Sequence, residues 1–113
     1  MKNEKIDKLM LKPSEWLDLI KEWKGLETDK EVAAFLDVKT PTYTNWKKDR
    51  FPIQLKAAMR IGTNIGVNPL FIMASSNFHT TKDKENQKYW RVLARTIEPK
   101  IPNQRGNKPI DPL

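Results

Sequence analysis

The sequence predicts an all-α fold. Apolar residues recur at helical spacing through most of the chain. No segment alternates convincingly with period two. Residues that start and stop helices sit where the periodic runs begin and end. With 113 residues and 38% hydrophobic content, the chain suffices for one compact domain but not for two good ones.

The elements follow in order. Residues 1–13 form an N-terminal arm or short helix, Lys-rich with Ile6, Leu9 and Met10 spaced along it. Ser14, after Pro13, reads as the N-cap of a helix on which Trp16, Leu17, Leu19, Ile20 and Trp23 share a broad apolar face. Both tryptophans are expected in the core. Gly25 ends this helix. Thr28, with Glu31 three residues later, is a capping box opening a short helix that carries Val32, Ala33, Phe35 and Leu36. Asp37-Val38-Lys39 breaks it, with Val38 as an apolar plug. Thr40 reads as the next N-cap, with Pro41 in the first turn, where its missing N–H costs nothing. Tyr43 and Trp46 form the buried stripe of that helix.

From Pro52, Ile53, Leu55, Ala58, Met59, Ile61 and Ile65 have helical spacing, which Gly62 weakens and Gly66 stops. Asn68-Pro69 opens a short final turn over Leu70–Ala74, and Ser75 to Thr81 reads as a polar loop containing His79. Residues 76–97 are a linker and a C-terminal helix. On it Tyr89, Trp90, Leu93 and Ile97 either pack back on the domain or mediate self-association. Residues 98–113, with four prolines, read as an extended or disordered tail, its Lys100, Arg105 and Lys108 alternatively lying along phosphate.

Charge points to a partner class. The net charge is +7 and the pI about 9.7. Residues 1–38 carry seven Lys against nine acids. Residues 39–60 carry six bases against Asp49 alone. Residues 61–81 carry no Lys, Arg, Asp or Glu, and residues 82–113 carry eight bases against four acids. Basic charge concentrated in one middle stretch suits a polyanion, whose neutralised phosphates release counterions. The chain has no cysteine, which excludes disulfides and thiolate chemistry. It has no apolar run that would span a membrane and no signal-like h-region after Met1. The single histidine, His79, has no ligand-spaced partner. Ser75 and Ser76 match no nucleophile signature, and Asp83 and Glu85 read as solvated helix residues. No catalytic, cofactor or metal site is expected, and no enzyme.

Two short helices joined by a three-residue turn make a helix-turn-helix. Thr28 to Pro52 reads T-D-K-E-V-A-A-F-L-D-V-K-T-P-T-Y-T-N-W-K-K-D-R-F-P. This resembles the Cro/cI-type (XRE) helix-turn-helix of phage repressors and bacterial regulators. That family's pattern runs roughly T-x-x-E-L-A-x-x-L-G-V-S-x-x-x-I-S-x-W-E-x-G-x-x-P. Glu31, Ala33, Leu36, Val38, Thr44 and Trp46 match in kind and spacing. The stretch from Pro52 through Ile65-Gly66-Val67-Asn68-Pro69 is similar to the family's later helices, so the likeness covers roughly residues 14–75. Asp37 and Asp49 stand where the pattern has glycine. Lys39 replaces a small turn residue, and Lys47 replaces a glutamate.

The resemblance implies a five-helix lambda-repressor-like domain over 14–75, with an additional C-terminal helix and tail. It implies a sequence-specific transcription regulator of double-stranded DNA, acting as a homodimer in a bacterial cytoplasm, nucleoid or phage-infected host. By motif position Thr40, Pro41, Thr44 and Asn45 face base edges. Asn45 is the leading reader, since its amide can pair an adenine edge bidentately. Lys39, Thr42, Lys47, Lys48, Arg50 and Lys56 are expected on phosphates, which position without reading sequence. The alternative is a protein-interaction module of the same fold, such as an antirepressor, binding a protein partner through 61–97.

Overall fold

The computed structural model describes residues 2–100, with side chains from Glu4 onward. Over that span it is all-helical: α1 (Lys2–Leu9), α2 (Pro13–Lys24), α3 (Asp29–Leu36), α4 (Thr40–Lys47), α5 (Leu55–Ile65), α6 (Pro69–Thr80) and α7 (Lys84–Thr96). The chain beyond Lys100, including the expected tail contacts of Arg105 and Lys108, lies outside the described residues. No described helix is long and apolar enough to cross a membrane.

Helix ends follow local chemistry. Thr28 Oγ1 accepts from Glu31 N–H at 3.1 Å, and Glu31 Oε1 accepts from Thr28 N–H at 3.2 Å, so the capping box closes as expected. Helices α2, α3 and α4 all end in the same way. A left-handed residue follows, directly after α2 and α3 and after Lys48 at the end of α4, and the next N–H turns back to a carbonyl of the last turn: Leu26 to Lys21 at 2.9 Å, Val38 to Ala33 at 3.0 Å, and Arg50 to Asn45 at 2.9 Å. Gly25 fills the left-handed position after α2. Asp37 and Asp49 fill it after α3 and α4, both at φ 56°, the only such non-glycine residues among those described.

α2 lies centrally, touching α3, α4, α5 and α6, while α6 packs between α5 and α7 and α1 docks on α7. Trp16, Leu17 and Ile20 meet Val32, Leu36, Tyr43, Trp46, Ile61, Phe71 and Ile72 in one core. Ala33 is buried and Val38 packs partly against that core, as expected of the small crossing residue and the plug. Gly62 has a packing reason. A Cβ there would stand 2.3 Å from the Val67 carbonyl oxygen, so its absence lets the α5–α6 corner close.

Several expectations fail. Ser14 is not the N-cap of α2; Lys12 flanks that helix and Pro13 opens it. Thr40 is the first residue of α4 rather than its cap, with Lys39 flanking it. α5 begins at Leu55, three residues after Pro52. The polar loop expected at 75–81 is instead the second half of α6, which runs through residue 75 without a break. Its hydroxyls are satisfied inside the helix: Ser75 and Ser76 donate to the carbonyls of Ile72 and Met73 at 3.0 and 3.1 Å. Both hydroxyls also accept from distant donors, Trp16 Nε1 and the Ile53 N–H, each at 3.0 Å. These polar residues therefore serve a buried face. His79 stands on this helix, its Nε2 2.7 Å from the Met10 carbonyl oxygen.

The N-terminal segment is the helical alternative, tied down by Ile6 and Met10 in the core and by Asp7, whose carboxylate receives both ends of the Arg95 guanidinium at 3.1 and 2.7 Å. That hydrogen bonding holds the Asp7 carboxyl below its ordinary range. Trp23, expected in the core, is 61% exposed, although Trp16 on the same face of α2 is buried. The aromatic stripe of α7 divides. Trp90 and Ile97 pack toward the core, whereas Tyr89 and Leu93 are 59% and 47% exposed. At the C-terminal end, Asn68 N–H donates to the Pro99 carbonyl at 2.6 Å and Val67 pairs with Lys100, so residues 98–100 are extended but held.

Candidate nucleic-acid interface

α4 is short, and its burial is one-sided. Tyr43 and Trp46 are 4% and 2% exposed. Each anchors through its polar end: Trp46 Nε1 donates to the Pro52 carbonyl and Tyr43 Oη to Asp29 Oδ1, both at 3.0 Å. Burial first, then the Asp29 carboxylate, pushes the Tyr43 hydroxyl well above its ordinary value. The same bond, supported by Lys21, holds Asp29 below the carboxylate range. A protonated Tyr43 therefore locks α4 to the first turn of α3.

The opposite side of α4 is polar. Thr40, Pro41 and Lys48 are exposed, as are Lys39 before the helix and Arg50 after it. Thr42, Thr44, Asn45 and Lys47 are half-buried. A groove of about 400 Å³ runs between α3 and α4, lined by Asp29, Lys30, Ala33, Thr40, Tyr43, Thr44, Lys47 and Lys48. It gathers Thr40, Thr44, Lys47 and Lys48 from the expected set. Lys30 joins them; sequence reading passed it over because it lies inside the capping box, on the helix before the turn.

The expected phosphate ligands are not equivalent. Lys47 pairs with Asp18 of α2 at 3.0 Å, and Lys56 pairs with the Asp37 carboxylate. Such exposed pairs contribute little, so a phosphate can displace them at small cost. Lys56 stands at the turn rather than in the α3–α4 groove. Arg50 reaches back, its Nη1 3.5 Å from Asn45 Oδ1. This contact engages one half of the amide that bidentate adenine pairing needs.

Asp49 was visible in the sequence only as a departure from a glycine position. Its carboxylate accepts from Ser14 N–H at 2.9 Å and from Ser14 Oγ at 3.0 Å. It thus caps α2 from 35 residues away, satisfying a first-turn donor that Ser14 cannot satisfy for itself. The end of α4 and the start of α2 are pinned together, which fixes how far α4 stands out.

With the fold and this face described, comparison with known proteins adds nothing to them: no family model, no curated protein and no solved structure matches the chain.

Proposed function

We propose that the chain is a sequence-specific double-stranded DNA-binding regulator of the helix-turn-helix type, laying α4 in the major groove. The observation that carries this reading is the division of α4 into a buried aromatic stripe and an outward face of Thr40, Pro41, Thr44 and Asn45, flanked by Lys39, Lys48 and Arg50. Base edges in the major groove offer distinct donors, acceptors and a methyl group, which short hydroxyl and amide side chains can meet. Lys39 and Lys48, with Lys30 and a displaceable Lys47, then take phosphate.

The lambda-repressor-like assignment draws support from the backbone. The two aspartates that occupy the left-handed region, Asp37 and Asp49, stand at the two positions where the family's pattern has glycine. Among the described residues they are the only two non-glycine residues with that backbone. Binding as a two-fold dimer follows from half-sites one DNA turn apart. Tyr89, Val92 and Leu93, exposed together on α7, are a surface such pairing can use.

The same exposed α7 surface favours the second reading, a protein-interaction module such as an antirepressor. Selection of bound sites from a random DNA pool separates the two. The DNA reading expects enrichment of a short motif with half-site symmetry. Asn45→Ala should then cost about 1–3 kcal/mol at one base pair. Lys48→Ala should weaken all sequences alike and flatten the salt slope by about one. A chain that enriches nothing, yet binds a protein with little salt dependence, belongs to the second reading.

A further inference from the structure

We propose that Arg50 and Asn45 form a single donor-rich reading head whose preferred base is guanine. The inference rests on the DNA-binding reading above and deepens it by naming the base.

Two contacts bring the residues together. Asp49 in the left-handed region reverses the chain, so that Arg50 N–H closes the last turn of α4 on the Asn45 carbonyl at 2.9 Å. The same reversal returns the Arg50 side chain along the helix, placing Nη1 3.5 Å from Asn45 Oδ1. The orientation of the Asn45 amide follows from the partner's chemistry. A guanidinium carries five N–H donors and no acceptor, so only the amide oxygen can face it. The amide nitrogen is left as the free end of Asn45. Arg50, exposed, keeps its remaining N–H groups for a ligand. The pair therefore presents several donors beside the single Oδ1 lone pair that Arg50 leaves.

The four bases answer this differently in the major groove. Guanine offers two adjacent acceptors, N7 and O6. Adenine offers one acceptor beside an N6–H₂ donor, which must share Oδ1 with the guanidinium and lie close to its N–H groups. An adenine at this position crowds donor against donor at a desolvated surface, where a poorly satisfied group is costly. Thymine offers a single acceptor and cytosine a donor. Guanine is the only base that meets the head with two acceptors. The expectation from sequence, an Asn45 amide bidentate on adenine, is disfavoured while the Arg50 guanidinium shares the amide oxygen.

The test is site selection from a random DNA pool with the full chain, comparing wild type, Arg50→Ala and Lys48→Ala. Single-base competition then follows at low salt, so that the loss of one cation does not hide selectivity. The wild type should prefer guanine over adenine at one position of the half-site by about five- to a hundredfold. In Arg50→Ala the freed amide should shift that position toward adenine, leaving the other positions unchanged. Lys48→Ala should leave every base preference as it was. Arg50→Ala keeps the backbone N–H that caps α4, and its circular dichroism should match the wild type. Adenine preferred by the wild type at every position of the half-site, or a guanine preference that Arg50→Ala leaves untouched, overturns this inference while sparing the DNA-binding reading. A chain that selects no DNA overturns both.

Discussion

Replacing Asp49 separates two effects that the structure places in one residue. Its left-handed backbone, at φ 56°, is costly for a residue with a Cβ, on the order of 1 kcal/mol. Its carboxylate caps α2 through Ser14 N–H and Oγ at 2.9 and 3.0 Å. Loss of a helix cap costs about 0.5–2 kcal/mol, and a carboxylate at a helix N-terminus adds a few tenths more through the dipole. Asp49→Ala removes the cap and keeps the strain, and should cost about 2 kcal/mol. Asp49→Gly removes the cap but relieves the strain, and should cost about 1 kcal/mol. Asp49→Asn keeps one acceptor and tolerates the left-handed backbone, and should cost less than either. A domain of this size loses roughly 5 °C of Tm per kcal/mol. Melting by circular dichroism should therefore rank wild type, Asn, Gly and Ala in falling order, with Ala about 10 °C below wild type. Ser14→Ala, which loses only the Oγ bond, should fall by less than Asp49→Ala. Equal Tm values for the Gly and Ala variants refute the strain argument. An Ala variant as stable as wild type refutes the long-range cap.

Two further perturbations test the packing. Gly62→Ala gains up to about 1 kcal/mol of helix propensity but forces a Cβ against the Val67 carbonyl, 2.3 Å away, where overpacking costs about 1–3 kcal/mol; urea unfolding should show a net loss, and a gain means that the α5–α6 corner opens freely. Tyr43, whose hydroxyl is raised by burial and then by Asp29, contributes stability that is fully present below the unfolded value near pH 10 and is lost as pH rises beyond it. In Tyr89→Phe, which leaves Tyr43 as the only tyrosine of the original two, tyrosinate absorbance should appear only as helical circular dichroism disappears; tyrosinate formed near pH 10 in an intact helical protein contradicts the Tyr43–Asp29 lock.

What the sequence determined by itself was whatever depends on neighbours a few residues apart. The Thr28–Glu31 box, the stops at Gly25 and Gly66, the break at Asp37 and the Tyr43–Trp46 stripe all rest on spacings of one helical turn, and the structure keeps each of them. So does the all-helical class, which needs only periodicity. The tertiary structure decided what depends on partners far along the chain. Ser14 lies inside the first turn of α2 rather than capping it, and its N–H finds an acceptor on Asp49, 35 residues on. Ser75 and Ser76 read as loop because hydroxyls usually seek solvent, yet Trp16 Nε1 and Ile53 N–H give them buried partners. Trp23 and Trp16 are indistinguishable by periodicity, and only the placement of the other helices around α2 leaves one out. The same holds on the outward side of α4. Its polar residues are legible from the sequence, whereas the bond from Arg50 that turns the Asn45 amide exists only once the chain has reversed at Asp49.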